Sequence, residues 1–139
     1  MFDHEKLQVY QVQHEFLRWV TPLLVEVQRK HGNTTEVRRQ LDRASLSSLL
    51  NIAEGNGRRG QQTRAKFFDD ARGSASESAA CLDALVAKNA CTPQRVEPGK
   101  QLLERVFSML TKLVARFDHS SSSSSTSIPS TTRTRARTN

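Results

Sequence analysis

Five polar side chains in the middle of the chain have residue types and spacings that suit either acid–base chemistry or the packing of helices. Asn51 and Glu54 are three residues apart, and Arg43 lies eleven residues before Glu54, so all three would share one side of a helix. Ser74 and Glu77 repeat the three-residue spacing in the next segment, where Glu77 would cap the network or pair with an arginine of another chain. Buried carboxylates need partners. The spacing therefore predicts a buried polar network that fixes a helix bundle.

Catalysis is not predicted for these carboxylates, because no nucleophile, metal-ligand set or phosphate-binding loop accompanies them. Cys81 and Cys91 have no CxxC spacing and are interpreted as reduced thiols that pack among the helices. The four histidines are too scattered for a metal site: His4, His14, His31 and His119. We therefore expect a protein that is not an enzyme and that holds no metal or cofactor.

A basic segment overlaps the polar residues. Between Glu36 and Lys66, seven basic residues stand against three acidic ones, in a chain whose net charge is +7. Local basic density of this kind is typical of nucleic-acid contacts. The predicted phosphate contacts are Arg38, Arg39, Arg58, Arg59 and Arg64.

The glycines of Gly55-Asn56-Gly57 lie beside these arginines and would allow positive backbone angles in a tight turn. Such a turn either aims backbone N–H groups at a phosphate or simply ends a helix next to solvated arginines. Both interpretations stay open at the level of sequence.

The elements that position these residues are helices. Apolar residues recur at spacings of three and four, and no stretch alternates convincingly like a strand, so the fold class is all-α. The 139 residues, 36% hydrophobic and 6% aromatic, suffice for one domain. No apolar run approaches the ~18 residues of a membrane span, and the first residues lack the pattern of a leader peptide. We therefore expect a cytoplasmic protein without membrane contact.

The first predicted helix runs from about Asp3 to Lys30 and stops at Gly32, with Asn33 or Thr34 as the next N-cap. Pro22 should kink or split it near residues 19–21, and a local bend is preferred over two separate helices. Its two apolar stripes are wider than one neighbouring helix would cover, which suggests burial against another subunit. One stripe is Val9, Val12, Phe16, Val20, Leu23 and Val27; the other is Leu7, Tyr10, Leu17 and Leu24.

The second helix should start near Thr35 or Glu36 and end at the glycines 55 and 57, and the third should run from about Gln61 to about Lys88. The fourth opens at Thr92-Pro93, with Pro98 making its first turn irregular or delaying the regular helix to about residue 99. The predicted inner residues of these three helices are Val37, Leu41, Ala44, Ser48, Leu49 and Ile52; Phe68, Ala71, Ala75, Ala79, Leu82 and Val86; and Leu102, Leu103, Val106, Met109, Leu110, Leu113, Val114 and Phe117. The small residues of the third helix predict close approach of a neighbour.

Four helices with short connections predict an antiparallel four-helix bundle over residues 1–119. From Ser120 the composition changes to a serine run and then to an alternation of Arg and Thr with Arg133, Arg135 and Arg137. This composition cannot bury enough apolar area to fold, so residues 120–139 are predicted to be a disordered tail.

Residues 41–85 resemble a known family. The segments Gln40-Leu41-Asp42-Arg43-Ala44-Ser45, Asn51-Ile52-Ala53-Glu54-Gly55-Asn56-Gly57-Arg58, Phe67 and Ala71-Arg72-Gly73-Ser74-Ala75-Ser76-Glu77 are similar to the four-helix bundle family encoded in intervening sequences of bacterial 23S ribosomal RNA genes. Weaker similarity extends over residues 3–117 and leaves out the tail. The resemblance implies a ring-like homopentamer of bundles with basic surface.

The same superfamily contains the accessory variability determinant proteins of diversity-generating retroelements. In that branch the resemblance implies a ring that works with a reverse transcriptase and binds nucleic acid. The Asn-Ile-Ala-Glu-Gly signature of this chain points to the intervening-sequence branch.

Two functional hypotheses follow. The first is a non-enzymatic oligomeric bundle that binds structured RNA or DNA through the five arginines, as an accessory factor of a retroelement or intervening sequence. The alternative is a protein-interaction scaffold that uses the apolar faces of the first and fourth helices to recruit a partner such as a reverse transcriptase, without touching nucleic acid itself.

Overall fold

The computed structural model describes residues 2–30 and 32–125 and consists of four long helices. They are α1 (Gln8–Lys30), α2 (Thr35–Gly57), α3 (Gln61–Ala87) and α4 (Pro93–Ser125), and a short 3-10 helix (Asp3–Lys6) precedes α1. No strand occurs among the described residues, and the all-α prediction is confirmed. Within the same residues, no helix combines the length and the apolar character that crossing a membrane would require.

The helices form a square bundle in which each packs against its neighbours in sequence, and α1 also packs against α4. The diagonal pairs, α1 with α3 and α2 with α4, do not approach each other closely. Contacts between α2 and α3 run in opposite directions along the two helices, since Arg43 pairs with Glu77 and Ser48 bonds to Ala71. Short connections impose this antiparallel order.

The core lies along the predicted inner faces. The apolar residues that are fully buried include Phe16, Leu23, Leu41, Ile52, Phe68, Leu82, Leu85 and Leu110. Several residues predicted to be buried lie at the edge of the core instead and are only partly covered: Val37, Ala79, Val86, Leu102, Met109, Leu113 and Val114. The second stripe of α1 is also partly covered by this chain's own core, through Leu7, Tyr10 and Leu24.

Small residues bring α2 and α3 together, as the sequence predicts. The Ser48 hydroxyl is buried and donates to the Ala71 carbonyl at 3.1 Å. Gly55 is buried as well, and a Cβ atom there would lie 3.0 Å from the Phe68 ring and 3.2 Å from Cβ of Phe67. Even an alanine at position 55 would therefore require the phenylalanine side chains to shift by a few tenths of an ångström.

The 55–57 segment departs from the predicted turn. Gly55 and Gly57 lie inside α2, and no described glycine has a positive φ. The chain reverses at Arg58-Arg59-Gly60 instead. The prediction of positive backbone angles at residues 55–57 is wrong. The lack of a side chain at Gly55 instead leaves room for the Phe68 ring. The backbone of residues 55–57 is consequently committed to the helix and forms no phosphate-binding turn.

The start of the chain also differs from prediction. The first helix does not run unbroken from Asp3, because Leu7 is extended (φ −70°, ψ 128°) and separates the 3-10 helix from α1. This break lets the Asp3 carboxylate accept a hydrogen bond from Asn56 Nδ2 at 2.9 Å, at the end of α2. Further along, α1 continues through Pro22 as one helix.

The α3–α4 connection is short and tightly bonded. Helix α3 ends at Ala87, and Asn89 takes the left-handed conformation (φ 62°) that commonly follows a helix end. The Thr92 hydroxyl accepts a hydrogen bond from the backbone N–H of Arg95 at 3.1 Å, which caps α4 as predicted.

One expectation for α4 is wrong. Pro98 neither delays the helix nor interrupts it, since a proline removes only one backbone bond. At its other end α4 continues past Ser120 to Ser125. The remaining part of the predicted disordered tail, 126–139, lies outside the described residues.

Trp19 packs at the seam between α1 and α4. Its ring lies 5.7 Å from the Phe16 ring, and the Arg95 guanidinium lies 5.6 Å from its centroid. Arg95 also bonds to the Glu26 carboxylate at 3.0 Å, and this hydrogen bond lowers the pKa of Glu26. On the side of α4, a Cβ atom at Gly99 would lie only 2.2 Å from the indole ring. Position 99 therefore has room for glycine alone.

We expect Gly99→Ala to displace Trp19. The chain has one tryptophan, so its fluorescence emission should shift toward that of an exposed indole. The free energy of unfolding, measured in urea, should fall by about 1–3 kcal/mol because of the steric conflict. Gly73→Ala is the matched control, since nothing lies within 4 Å of a Cβ atom there, and it should stabilise the protein by about 0.5–1 kcal/mol. Unchanged emission in Gly99→Ala would contradict this packing.

Candidate nucleic-acid interface

The five arginines predicted to contact phosphate do not form one surface. Arg58, Arg59 and Arg64 lie around the α2–α3 connection, whereas Arg38 and Arg39 lie in the first turns of α2. Arg38 and Arg58 are separated by twenty residues of the same helix, which corresponds to about 30 Å. The structure thus places three arginines at one end of the bundle and two at the other.

We call the end that carries the three arginines the turn end. It comprises the 3-10 helix, the connection 58–60, the first two turns of α3, and α4 around Phe117. The Asn56–Asp3 hydrogen bond joins the 3-10 helix to α2, and the Phe68 and Phe117 rings stack with centroids 5.8 Å apart, which joins α3 to α4. All four helices therefore contribute to, or adjoin, this end.

An aromatic ring holds Arg64 at the turn end. Its guanidinium lies 4.6 Å from the centroid of the Phe117 ring, and the guanidinium of Arg116 lies 5.5 Å from the same centroid. Phe117 is only 7% exposed and is fixed by its stack on Phe68. A cation over an aromatic face is attracted by the ring without losing its charge. The Nε atom of Arg64 is buried and has no acceptor within the described part of the chain.

Arg58 and Arg59 differ in their partners. Arg58 pairs with Glu54 one helical turn earlier and lies 5.1 Å from the centroid of Phe67. Arg59 is exposed and makes no hydrogen bond or ion pair with any described residue. Surface ion pairs contribute only about 0–1 kcal/mol, so Arg58 can exchange Glu54 for another anion at little cost. Arg59 and Arg64 have no carboxylate partner among the described residues, so binding an anion would break no ion pair there.

Two basic residues of the turn end were not among the predicted contacts. Lys66 lies 5.2 Å from the centroid of Phe67 and pairs with Asp70 at 2.9 Å, and Arg116 lies next to Phe117. Both directly precede a phenylalanine in the sequence. That basic–aromatic pairing was a usable signal, but only the fold shows that the two pairs meet at one end of the bundle.

At the opposite end, the arginines are engaged with the start of α2. Arg38 donates to the hydroxyl groups of Thr34 and Thr35 at 3.1 and 3.2 Å, and Arg39 pairs with Glu36. Hydrogen bonds from Gln40 and Arg39 lower the pKa of Glu36, so its carboxylate stays ionised and offsets the charge of Arg39. Of these two arginines, Arg39 therefore has a carboxylate partner, whereas Arg38 bonds only to hydroxyl groups among the described residues.

The predicted polar network is divided into three groups. Arg43 pairs with Glu77 of the same chain and also bonds to Gln40. The Ser74 hydroxyl lies 3.1 Å from that of Ser47, a residue missed in the sequence, whose carbonyl accepts from Asn51 Nδ2 at 3.0 Å. Among the described residues, Glu54 pairs only with Arg58 of the turn end.

The expected burial of the network is wrong for its ion pair. The side chains of Arg43 and Glu77 are 56% and 40% exposed in the single chain. The first two groups of the network nevertheless bridge α2 and α3 and hold the register of these helices. Glu54 does not contribute to this bridge.

Neither thiol is activated. Burial raises the pKa of both Cys81 and Cys91, so that each stays protonated near neutral pH and is a weak nucleophile. Within residues 2–30 and 32–125, no group of three or more His, Cys, Asp or Glu side chains is placed to hold a metal ion.

Comparison with known families gives one match. The model of the family described as 23S rRNA-intervening sequence protein matches residues 5–112, which is well over half of the chain. The matched stretch contains α1, α2, α3 and most of α4, and thus the arginines at both bundle ends. Arg116 and Phe117 lie beyond it. Comparison with curated proteins gave no match.

We expect Phe117→Leu to lower the free energy of unfolding by about 1–2 kcal/mol, because it removes the ring that stacks on Phe68 and holds Arg64. Phe2→Leu is the control, since Phe2 is 74% exposed, and it should change stability by less than about 0.5 kcal/mol. Urea denaturation of both variants measures the difference. Equal losses would contradict the role assigned to Phe117.

Proposed function

Because the chain belongs to the 23S rRNA-intervening sequence protein family, we propose that it is a non-enzymatic, oligomeric four-helix bundle that binds structured RNA or DNA through the turn end. The observation that carries this proposal is the pair Arg59 and Arg64, which carry no carboxylate partner within the described residues, next to the exchangeable Arg58. Such a protein would act in the cytoplasm, as an accessory factor of an intervening sequence or retroelement.

The chemistry of the turn end suits phosphate. Guanidinium groups form paired hydrogen bonds with phosphate oxygens, and each neutralised phosphate releases counterions. The rings of Phe67 and Phe117 hold Arg58 and Arg64 in place, so less side-chain entropy is lost on binding. Helices and aromatic stacking fix the spacing of these cations, which favours a nucleic acid of defined shape over a flexible single strand.

Assembly into an oligomer would repeat the basic residues of the turn end once for every subunit. A ring, such as the homopentamer implied by the family resemblance, needs two different and complementary surfaces on every subunit. Leu46 and Leu50 are 48% and 57% exposed, lie one turn apart on α2, and provide a projecting apolar patch. On the next side of the bundle, α3 and α4 form a mainly apolar groove that includes Ala75, Leu103 and Phe107. We propose that the patch of one copy enters the groove of the next.

The alternative function is a protein-interaction scaffold without nucleic-acid contact. The exposed Leu46 and Leu50 favour it equally well, because an apolar patch of this kind can serve a different protein, such as a reverse transcriptase. The two functions differ in the side chains that they need. Nucleic-acid binding needs the turn-end arginines, whereas binding of a partner protein needs the exposed leucines.

We expect the double substitution R58A and R59A to weaken binding of a labelled RNA hairpin, measured by fluorescence anisotropy over a salt series. The slope of log affinity against log salt should become shallower by about 0.9 for each phosphate contact that is lost on a duplex. The matched control is R38A and R39A, which removes the same charge about 30 Å away on the same helix.

Both variants must keep the mass in solution of the unsubstituted protein. A larger loss in the R38A and R39A protein would move the site to the opposite end. Binding that survives both substitutions, in a chain that ends at residue 119, would reject the folded bundle as the nucleic-acid surface and favour the scaffold.

The assembly is tested by L46Q and L50Q, because glutamine keeps the helix and removes the apolar contact. We expect light scattering to show dissociation toward the 15.6 kDa monomer. The control is V25Q on α1, where the side chain is similarly exposed at 45%, and it should leave the oligomer intact. An unchanged mass for L46Q and L50Q would exclude this patch as the contact between copies and assign it to another protein.

A further inference from the structure

Four aromatic rings form a ladder that begins at the turn end and continues along α1. The Phe2 and His4 rings stack with centroids 5.9 Å apart and planes only 9° from parallel. The His4 ring meets the Tyr10 ring edge to face at 4.8 Å, and the Tyr10 ring stacks on the His14 ring at 6.2 Å. We call these four rings the aromatic ladder. Its two ends, Phe2 and His14, are exposed, whereas its middle rings are half-buried.

Phe2 is held in place although its side chain is 74% exposed. Its backbone N–H donates to the Glu5 carboxylate at 3.0 Å, and its carbonyl accepts from the backbone N–H of Glu5 at 3.1 Å. A single exposed phenylalanine needs no explanation. Here, however, the backbone is fixed and three further rings are aligned behind the exposed one. The ladder therefore presents a preformed aromatic face to solvent.

The ladder begins beside the turn-end arginines. Phe2 and His4 flank Asp3, and the Asp3 carboxylate accepts the hydrogen bond from Asn56 Nδ2 at the end of α2. Arg58 follows Asn56 by two residues. A nucleic acid whose phosphates lie on these arginines therefore passes next to the exposed ring of Phe2.

The chemistry of the ladder differs from that of the other rings at this end. Arginine guanidinium groups lie over the rings of Phe67 and Phe117, whereas no cation lies over Phe2 among the described residues. The carboxylates of Asp3 and Glu5 are adjacent in sequence to the ladder and disfavour a phosphate there. A nucleobase carries no such charge, and its flat face stacks on aromatic side chains. The ladder thus suits a base, and the arginines suit the backbone.

Resting on the proposed function, we propose that the aromatic ladder stacks an unpaired nucleobase, on the exposed ring of Phe2, from the same nucleic acid whose phosphates the turn-end arginines bind. Bases inside a duplex are covered by their neighbours, whereas an unpaired base offers its face to a protein. The ligand of the turn end is accordingly a duplex that continues into an unpaired segment.

The test uses three labelled RNA duplexes of the same 20 base pairs, measured by fluorescence anisotropy over a salt series. The first is blunt, the second has three unpaired adenines on both strands at one end, and the third has abasic nucleotides in place of these adenines. The unsubstituted full-length chain should bind the adenine fork at least about fivefold more tightly than the abasic fork, which has the same number of phosphates.

Phe2→Leu removes the aromatic face and keeps an apolar side chain. We expect it to abolish the preference for the adenine fork and to change binding of the blunt duplex less than twofold. Because stacking releases no counterions, the slope of log affinity against log salt should stay unchanged, unlike the slope of R58A with R59A. Phe2→Trp should restore the preference, since the indole ring also stacks. Val25→Ala, which shortens another exposed apolar side chain at the first helix, is the matched control and should bind like the unsubstituted chain.

Each outcome decides the matter. If the unsubstituted chain binds all three duplexes equally well, or prefers the adenine fork even with Phe2→Leu, the stacking site is overturned while the turn end stands. Equal binding of the adenine and abasic forks, both tighter than the blunt duplex, would also overturn it, because the contact would then be with the backbone. If the unsubstituted chain binds none of the duplexes, the proposed function fails together with this inference.

Discussion

The close approach of α2 to α3 is the constraint on which the rest of the structure depends. Gly55 leaves just enough space for the Phe68 ring, and Ser48 bonds directly to the Ala71 backbone. With the two helices this close, Phe68 is positioned to stack on Phe117 and tie α4 to the same end. The geometry of the turn end thus follows from a contact that contains no charged group.

Aromatic rings contact three cations of the turn end, and at Arg64 the ring acts without a carboxylate among the described residues. A carboxylate would hold an arginine equally well but would cancel its charge, whereas Phe117 holds Arg64 and leaves the charge in place. At the opposite end a carboxylate holds the arginine instead, since Glu36 pairs with Arg39 and neutralises its charge. Two ends with similar arginine pairs in the sequence therefore hold their arginines by different contacts.

Helical periodicity is a local property, and for this reason the four helices and most of their buried faces could be predicted from the sequence. Gly55 could not be interpreted correctly, because a glycine serves either an unusual backbone angle or a lack of space, and only the neighbouring Phe68 decides between them. The division of the arginines between the two ends could be predicted only with the full length of α2 known. The role of Arg116 needed the packing of its neighbour Phe117 against Phe68 and Arg64 of another helix. Tertiary packing, which periodicity does not encode, accounts for each of these differences.

The square arrangement has a consequence for the order in which the protein is made. Helix α1 packs against both α2 and α4, so its cover is complete only after α4 has been made. Until α4 has been synthesised, one side of α1 lacks its cover, and apolar residues there remain open to solvent or to other chains. Helices α2 and α3 need no such delay to pack against each other, because they are adjacent in sequence. One side of α1 therefore stays uncovered for as long as the synthesis of α2, α3 and α4 takes.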